Sequence, residues 1–210
     1  MDQQTNIITN LLRNTGMIKN HIIGLKGNKI SEDYMKITIP KIKEVTVNDE
    51  VLFWQGTTPE TMPRDMLKFS DRKIKTIGDK KHNRVPGPFT PTEKAVWYSH
   101  LFLWKHLYEN KIDSWIFEHD VDFLDNVLLP DVDDYDICYG KFPGCAFCYY
   151  VKHNKLNKVI DYVLNSEIYA QIDTYMYDLQ VDEYIPELKI TNFKLKITQH
   201  MHLGNTIEHL

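Results

Sequence analysis

The chain has 210 residues, 42% of them apolar and 12% aromatic, with a formal net charge of −4. That length suits one domain with a small appendage, and that composition excludes a disordered chain. The mild charge makes no global case for nucleic acid or an anionic membrane, and no apolar run approaches the roughly 18–20 residues that span a bilayer.

The first residues, Met-Asp-Gln-Gln-Thr-Asn, lack the basic and apolar regions of a signal peptide, which gives the expectation of a cytoplasmic protein. Ile7, Ile8, Leu11 and Leu12 recur at helical spacing and predict a helix over 3–18, a helical extension occupying 1–19. His21-Ile22-Ile23-Gly24-Leu25 reads as a short apolar strand, and Gly27-Asn28 as a turn. Ser31 is the expected cap of a helix with Glu32 and Asp33 in its first turn. That helix should reach about Lys43, with Pro40 ending or kinking it. Val51–Trp54 is a second strand, so the chain opens β-α-β, the start of an α/β sheet.

Residues 70–91 are polar and close on Val-Pro-Gly-Pro-Phe-Thr-Pro, the profile of a long active-site loop or lid. Within it, residues 72–84 carry Arg72, Lys73, Lys75, Lys80, Lys81 and Arg84 against one acid, Asp79. Such a stretch is either a solvated loop or a grip on an anionic substrate. Thr90 or Thr92 then caps a helix running to Asn110, apolar around most of its circumference and hence expected to be well buried. Ser114–Phe117 is a strand that delivers Glu118, Asp120 and Asp122, three carboxylates at alternate positions. In an extended chain these project from one face, with His119 and Val121 on the other. Three hard oxygen ligands suit Mg²⁺ or Mn²⁺, which can hold a departing diphosphate. An acidic loop with no ligand is the alternative.

Tyr135–Tyr139 and Ala146–Val151 read as strands, Leu156–Leu164 and Ile168–Leu179 as helices, and Leu188–Thr198 as a half-exposed strand. Three cysteines cannot all pair within the chain and fit a reducing compartment. Cys145 and Cys148 form a CxxC that no second pair completes, so a buried structural role is expected. Neither a Walker nor a Rossmann glycine fingerprint is present.

Two motifs carry a resemblance. Thr92–His100 ends in Ser99-His100 and is followed by Trp104, and Trp115–Phe123 is an apolar strand ending in the acidic cluster. Together and at this spacing they resemble glycosyltransferase family 25, the lipooligosaccharide and collagen galactosyltransferases. Looser similarity covers about 20–207, through Ile22–Leu25, Val51–Pro59, Ala146–Val151, Ile172-Asp173 and Thr198-Gln199-His200. His119 stands where that family usually has Asp, and Asn205-Thr206 where a Ser-Asp pair is common.

The resemblance implies a single GT-A-type, Rossmann-like α/β domain over 20–210 with a mixed central sheet. It implies Mn²⁺ or Mg²⁺, a nucleoside-diphosphate sugar such as a UDP-sugar, and inverting transfer to an acceptor hydroxyl. Glu118, Asp120 and Asp122 become the DXD-type metal ligands, with His200 and His202 as added ligands or a surface pair. Asp173 becomes the general base, or else a helix-surface acid. Ser99, His100, His119, Arg72, Lys75 and Arg84 become donor or substrate contacts, although Ser99 and His100, on a buried helix, equally suit a structural role. The acceptor is a saccharide. Alternatively, because Lys, Asn and Ile richness suits an AT-rich phage or viral genome, it is a hydroxymethylated DNA base met in host cytoplasm. A catalytically altered sugar- or nucleotide-binding module is the competing class, invited by His119. A metal-dependent phosphohydrolase or nuclease is a third.

Overall fold

The computed structural model describes residues 18–46, 48–72, 86–124, 127–142, 144–181 and 184–199. The helix expected over 3–18 lies outside them in all but its last residue, which is not helical. In chain order the elements are β1 (Lys19–Gly24), α1 (Lys29–Val45), β2 (Val51–Gln55), β3 (Lys68–Phe69), α2 (Pro91–Asn110), β4 (Ser114–Glu118) and β5 (Val121–Phe123). There follow β6 (Ile137–Tyr139), β7 (Cys148–Val151), α3 (His153–Asn165), β8 (Glu167–Ile168), α4 (Ile172–Val181), β9 (Ile190–Asn192) and β10 (Ile197–Gln199).

Six strands form the central sheet in the order β2-β1-β4-β7-β6-β9. β1 lies parallel between β2 and β4, β7 runs antiparallel to β4 and β6, and β9 is parallel to β6. The sheet is therefore mixed and the fold α/β, as expected. Two short ladders flank it, β10 with β5 and β3 with β8. The chain goes from β1 through α1 to β2 on one side, then crosses back through α2 to β4 on the other. Strand order thus reverses at β1, and the carboxyl ends of β1 and β4 flank the crevice where open α/β sheets bind ligands.

Register and the two-residue strand period set the faces. Gly24 and Phe53 face Met35 of α1. His21, Trp54 and Tyr149 meet side chains of α2, and Ile23, Ile116 and Glu118 share that face. Among the described residues no helix is long and apolar enough to cross a membrane.

Local chemistry accounts for the helix ends. α1 starts before Ser31, because the Asn28 side chain accepts from the Ser31 amide. The Ser31 hydroxyl instead accepts from the Leu25 amide and ties the helix to the end of β1. Pro40 neither ends nor caps α1, which runs to Val45. Buried Tyr34, Thr38, Ile42 and Val45 clamp both sides of the proline to the core, and this packing outweighs the one missing amide. At α2, Thr90 is the cap, in a full capping box with Glu93 and with Pro91 just inside. Lys111, at φ 57°, ends the helix in the left-handed region.

Three expected elements are divided. Residues 146 and 147 form a turn, and only Cys148–Val151 is strand, though all three cysteines are buried and free. The segment 168–179 splits into the β8 ladder residue Ile168 and α4 from Ile172. The segment 188–198 breaks between β9 and β10, where Lys194 takes φ 55°. Its alternating pattern is common to both pieces and hides the change of partner strand.

Candidate active site

Glu118 closes β4 at the carboxyl edge of the sheet, and the chain turns at once through His119 and Asp120 before β5 begins. That turn corrects the co-facial expectation for the three acids. Glu118 reaches toward α2, where the His100 Nε2 lies 3.3 Å from its Oε1. Asp122 is instead in an ion pair with Lys41 of α1. The two carboxylates are engaged by helices on opposite faces of the sheet, because a two-residue turn breaks the strand's period between them.

Asp120 stays electrostatically close to Glu118. Burial and the Asp120 charge hold the Glu118 carboxyl well above the usual range, against a hydrogen bond donated to its Oε2 by the Gln199 amide at 3.2 Å. Two half-buried, neighbouring carboxylates, one of them with its proton affinity raised by the other's charge, form the donor chemistry a hard divalent cation relieves. Among the described residues, no group of three or more His, Cys, Asp or Glu side chains is gathered to hold a metal by protein ligands alone. A two-carboxylate set still fits Mg²⁺ or Mn²⁺, since such ions keep waters or substrate phosphates for the remaining positions.

His100 is 1% exposed and lies at the centre of this region. Its Nδ1 is 2.7 Å from the Tyr149 hydroxyl, which also accepts from the Trp104 indole N–H at 2.8 Å. Burial pulls the imidazole down to about 4, with the nearby Asp173 charge opposing. Asp173 stands in the first turn of α4, and its Oδ1 accepts from the Ala146 amide at 3.0 Å. The approach is close: Gly144 takes φ 80°, and a Cβ there would land on the Asp173 carbonyl oxygen and 2.6 Å from the Tyr177 amide. Glu118, Asp120, His100 and Asp173 are therefore brought together at the sheet's carboxyl edge.

Other candidates are engaged elsewhere. The Ser99 hydroxyl donates to the Ala95 carbonyl and accepts from the Thr57 amide, so it pins the turn after β2. Arg72 pairs with Glu93 at 2.7 Å, and Glu93 also accepts from Gln171 and the Thr90 amide. Arg72 also bridges to Gly87, so the two ends of the polar segment meet. Its guanidinium is thereby committed to the cap of α2. His119 packs its ring 5.7 Å from Tyr34 of α1, while its carbonyl accepts from the Thr38 hydroxyl. Burial lowers its proton affinity. Lys75, Arg84, His200 and His202 lie outside the described residues.

Tyr149, Gln199 and Lys41 were not singled out from sequence. Tyr149 had one legible signal, a phenol in the middle of an apolar strand. Gln199 and Lys41 had none, because their roles depend on β10 pairing with β5 and on α1 crossing it. No family model matches the chain, and no curated protein matches it either.

Proposed function

We propose that the chain is a metal-dependent glycosyltransferase with a GT-A-type domain, moving a sugar from a nucleoside diphosphate to an acceptor hydroxyl with inversion. The observation that carries this reading is the half-buried Glu118–Asp120 pair at the carboxyl end of β4, beside the point where strand order reverses. The Ser99-His100 and Glu118–Asp122 motifs add their resemblance to glycosyltransferase family 25.

Glu118 and Asp120 would hold Mn²⁺ or Mg²⁺, whose charge stabilises the leaving diphosphate. Asp173 accepts the proton of the acceptor hydroxyl. The acceptor oxygen then bonds to the anomeric carbon as the bond from that carbon to the diphosphate oxygen breaks. The electron pair leaves with the nucleoside diphosphate, and the proton stays on Asp173. Saccharide hydroxyls and the hydroxymethyl group of a modified DNA base are the two acceptor classes.

The test is release of nucleoside diphosphate from a panel of nucleotide sugars, with and without Mn²⁺. Metal-dependent release that disappears in Asp120→Ala is the expected result; release unchanged in that variant rejects the assignment. Transfer of radiolabelled sugar onto saccharides or onto hydroxymethylated duplex DNA then separates the acceptors.

A second reading has its own observation. Asp122 is paired with Lys41, and His119 is packed on Tyr34, so two positions of the acidic motif are given to the fold. A binding module of the same fold would bind the nucleotide sugar, raise its melting temperature with it, and turn nothing over.

A further inference from the structure

The Trp104 indole N–H can only donate, so at 2.8 Å it occupies a lone pair of the Tyr149 oxygen. Tyr149 is fully buried, and its described hydroxyl partners are Trp104 and His100. The phenol has one hydrogen to place, and the His100 Nδ1 at 2.7 Å is the acceptor within reach. Were Nδ1 itself protonated, the phenol hydrogen would be left buried with no acceptor, which is costly. The imidazole hydrogen therefore sits on Nε2, which faces Glu118.

From this directionality we propose that Trp104, Tyr149 and His100 form a one-way hydrogen-bond relay that holds His100 as its Nε2–H tautomer and so aims the Glu118 carboxylate. All three are positioning residues, and the proposal rests on the reading of Glu118 as a cation ligand. Three donor-to-acceptor steps run from the core of α2 outward: indole to phenol, phenol to imidazole, imidazole to carboxylate. Gln199 holds the second carboxylate oxygen from β10, so both oxygens are oriented from opposite sides. Hydrogen-bond partners behind a metal-ligating group fix its orientation, and losing one typically weakens metal affinity about 10–100-fold.

The experiment is Mn²⁺ titration of the full chain followed by electron paramagnetic resonance, with ¹⁵N spectra of the histidine rings. His100→Asn keeps an amide near Nδ1 but cannot reach Glu118. His100→Gln can place an N–H near the position of Nε2. The wild type is expected to bind Mn²⁺, His100→Asn to bind about 10–100-fold more weakly, and His100→Gln to recover to within about 3-fold. Tyr149→Phe should weaken binding and leave the Glu118 carboxylate alone to favour the Nε2–H tautomer of His100.

Equal Mn²⁺ affinity in wild type and His100→Asn overturns the relay while leaving the cation reading standing. A wild type that binds no Mn²⁺ overturns the cation reading, and the relay's purpose with it. The ¹⁵N spectrum of the wild type needs no substitution: a hydrogen found on Nδ1 overturns the relay even if every variant fails to fold.

Discussion

His21 of β1 and His100 of α2 are both buried where α2 packs on one face of the sheet, and burial pulls each imidazole down to about 4. At His21, Nδ1 meets the Ser114 hydroxyl at 2.8 Å, and that hydroxyl is close to the Lys19 and Trp115 carbonyls. The hydrogen bonds end in backbone, at the amino-terminal part of β1 and β4. At His100 they end on a carboxylate at the other edge of the sheet, where α/β folds bind ligands. A buried, neutral histidine is therefore no sign of a site by itself. The group at the far end of its hydrogen bonds decides the matter.

The largest expected break in this contrast is Glu118→Gln. Turnover of the nucleotide sugar should fall by about 100-fold or more, as expected when a group stabilising transition-state charge is lost. The metal-free protein should nevertheless melt no lower than wild type, since a like-charge repulsion with Asp120 is removed. Release assays and calorimetry check the two halves. The matching substitution at the other end, His21→Gln, should leave turnover at pH 7 within about 2-fold while changing the acid limb of stability.

That limb follows from the sign of the shift. The unfolded chain protonates His21 near 6.5, and the folded chain only near 4. Its contribution is fully present above pH 6.5 and is lost as the pH falls toward 4, to a total of roughly 3 kcal/mol. Denaturant melts between pH 7 and 4 should show this slope in wild type and a shallower one in His21→Gln.

Ser99→Ala removes the acceptor of the Thr57 amide and should cost about 1–3 kcal/mol in chemical denaturation. Its effect on turnover should be smaller than that of His100→Asn, although the two residues are adjacent. Smallest of all is Asp122→Asn, which should change Mn²⁺ affinity by less than about 3-fold, because Asp122 is already neutralised by Lys41. A loss as deep as that of Glu118→Gln would restore a three-carboxylate site.

Much of this was legible in the sequence. The β-α-β opening, the capped helix over 91–110 and the strand leading to Glu118 follow from periodicity and capping chemistry. Less legible was the bend after Glu118. Alternating acids in a short segment fit a strand equally well whether it continues or turns, and the choice was made by β10 pairing with Val121–Phe123. Arg72 misled for a related reason: a basic residue in a polar stretch reads as a phosphate contact until its partner Glu93, 21 positions on, is in view. Long-range partners have no local signature.

Gly144 turns the same geometry into a constraint on descent. Its backbone occupies a left-handed conformation, and its missing side chain is the space into which the first turn of α4 fits. Related chains that keep the first turn of α4 seated on this loop are bound to keep glycine at the place of Gly144, whatever side chain stands at the place of Asp173. Glycine at this place would thus be kept or lost with the packing of α4 on the loop, a record of selection written independently of the acidic cluster.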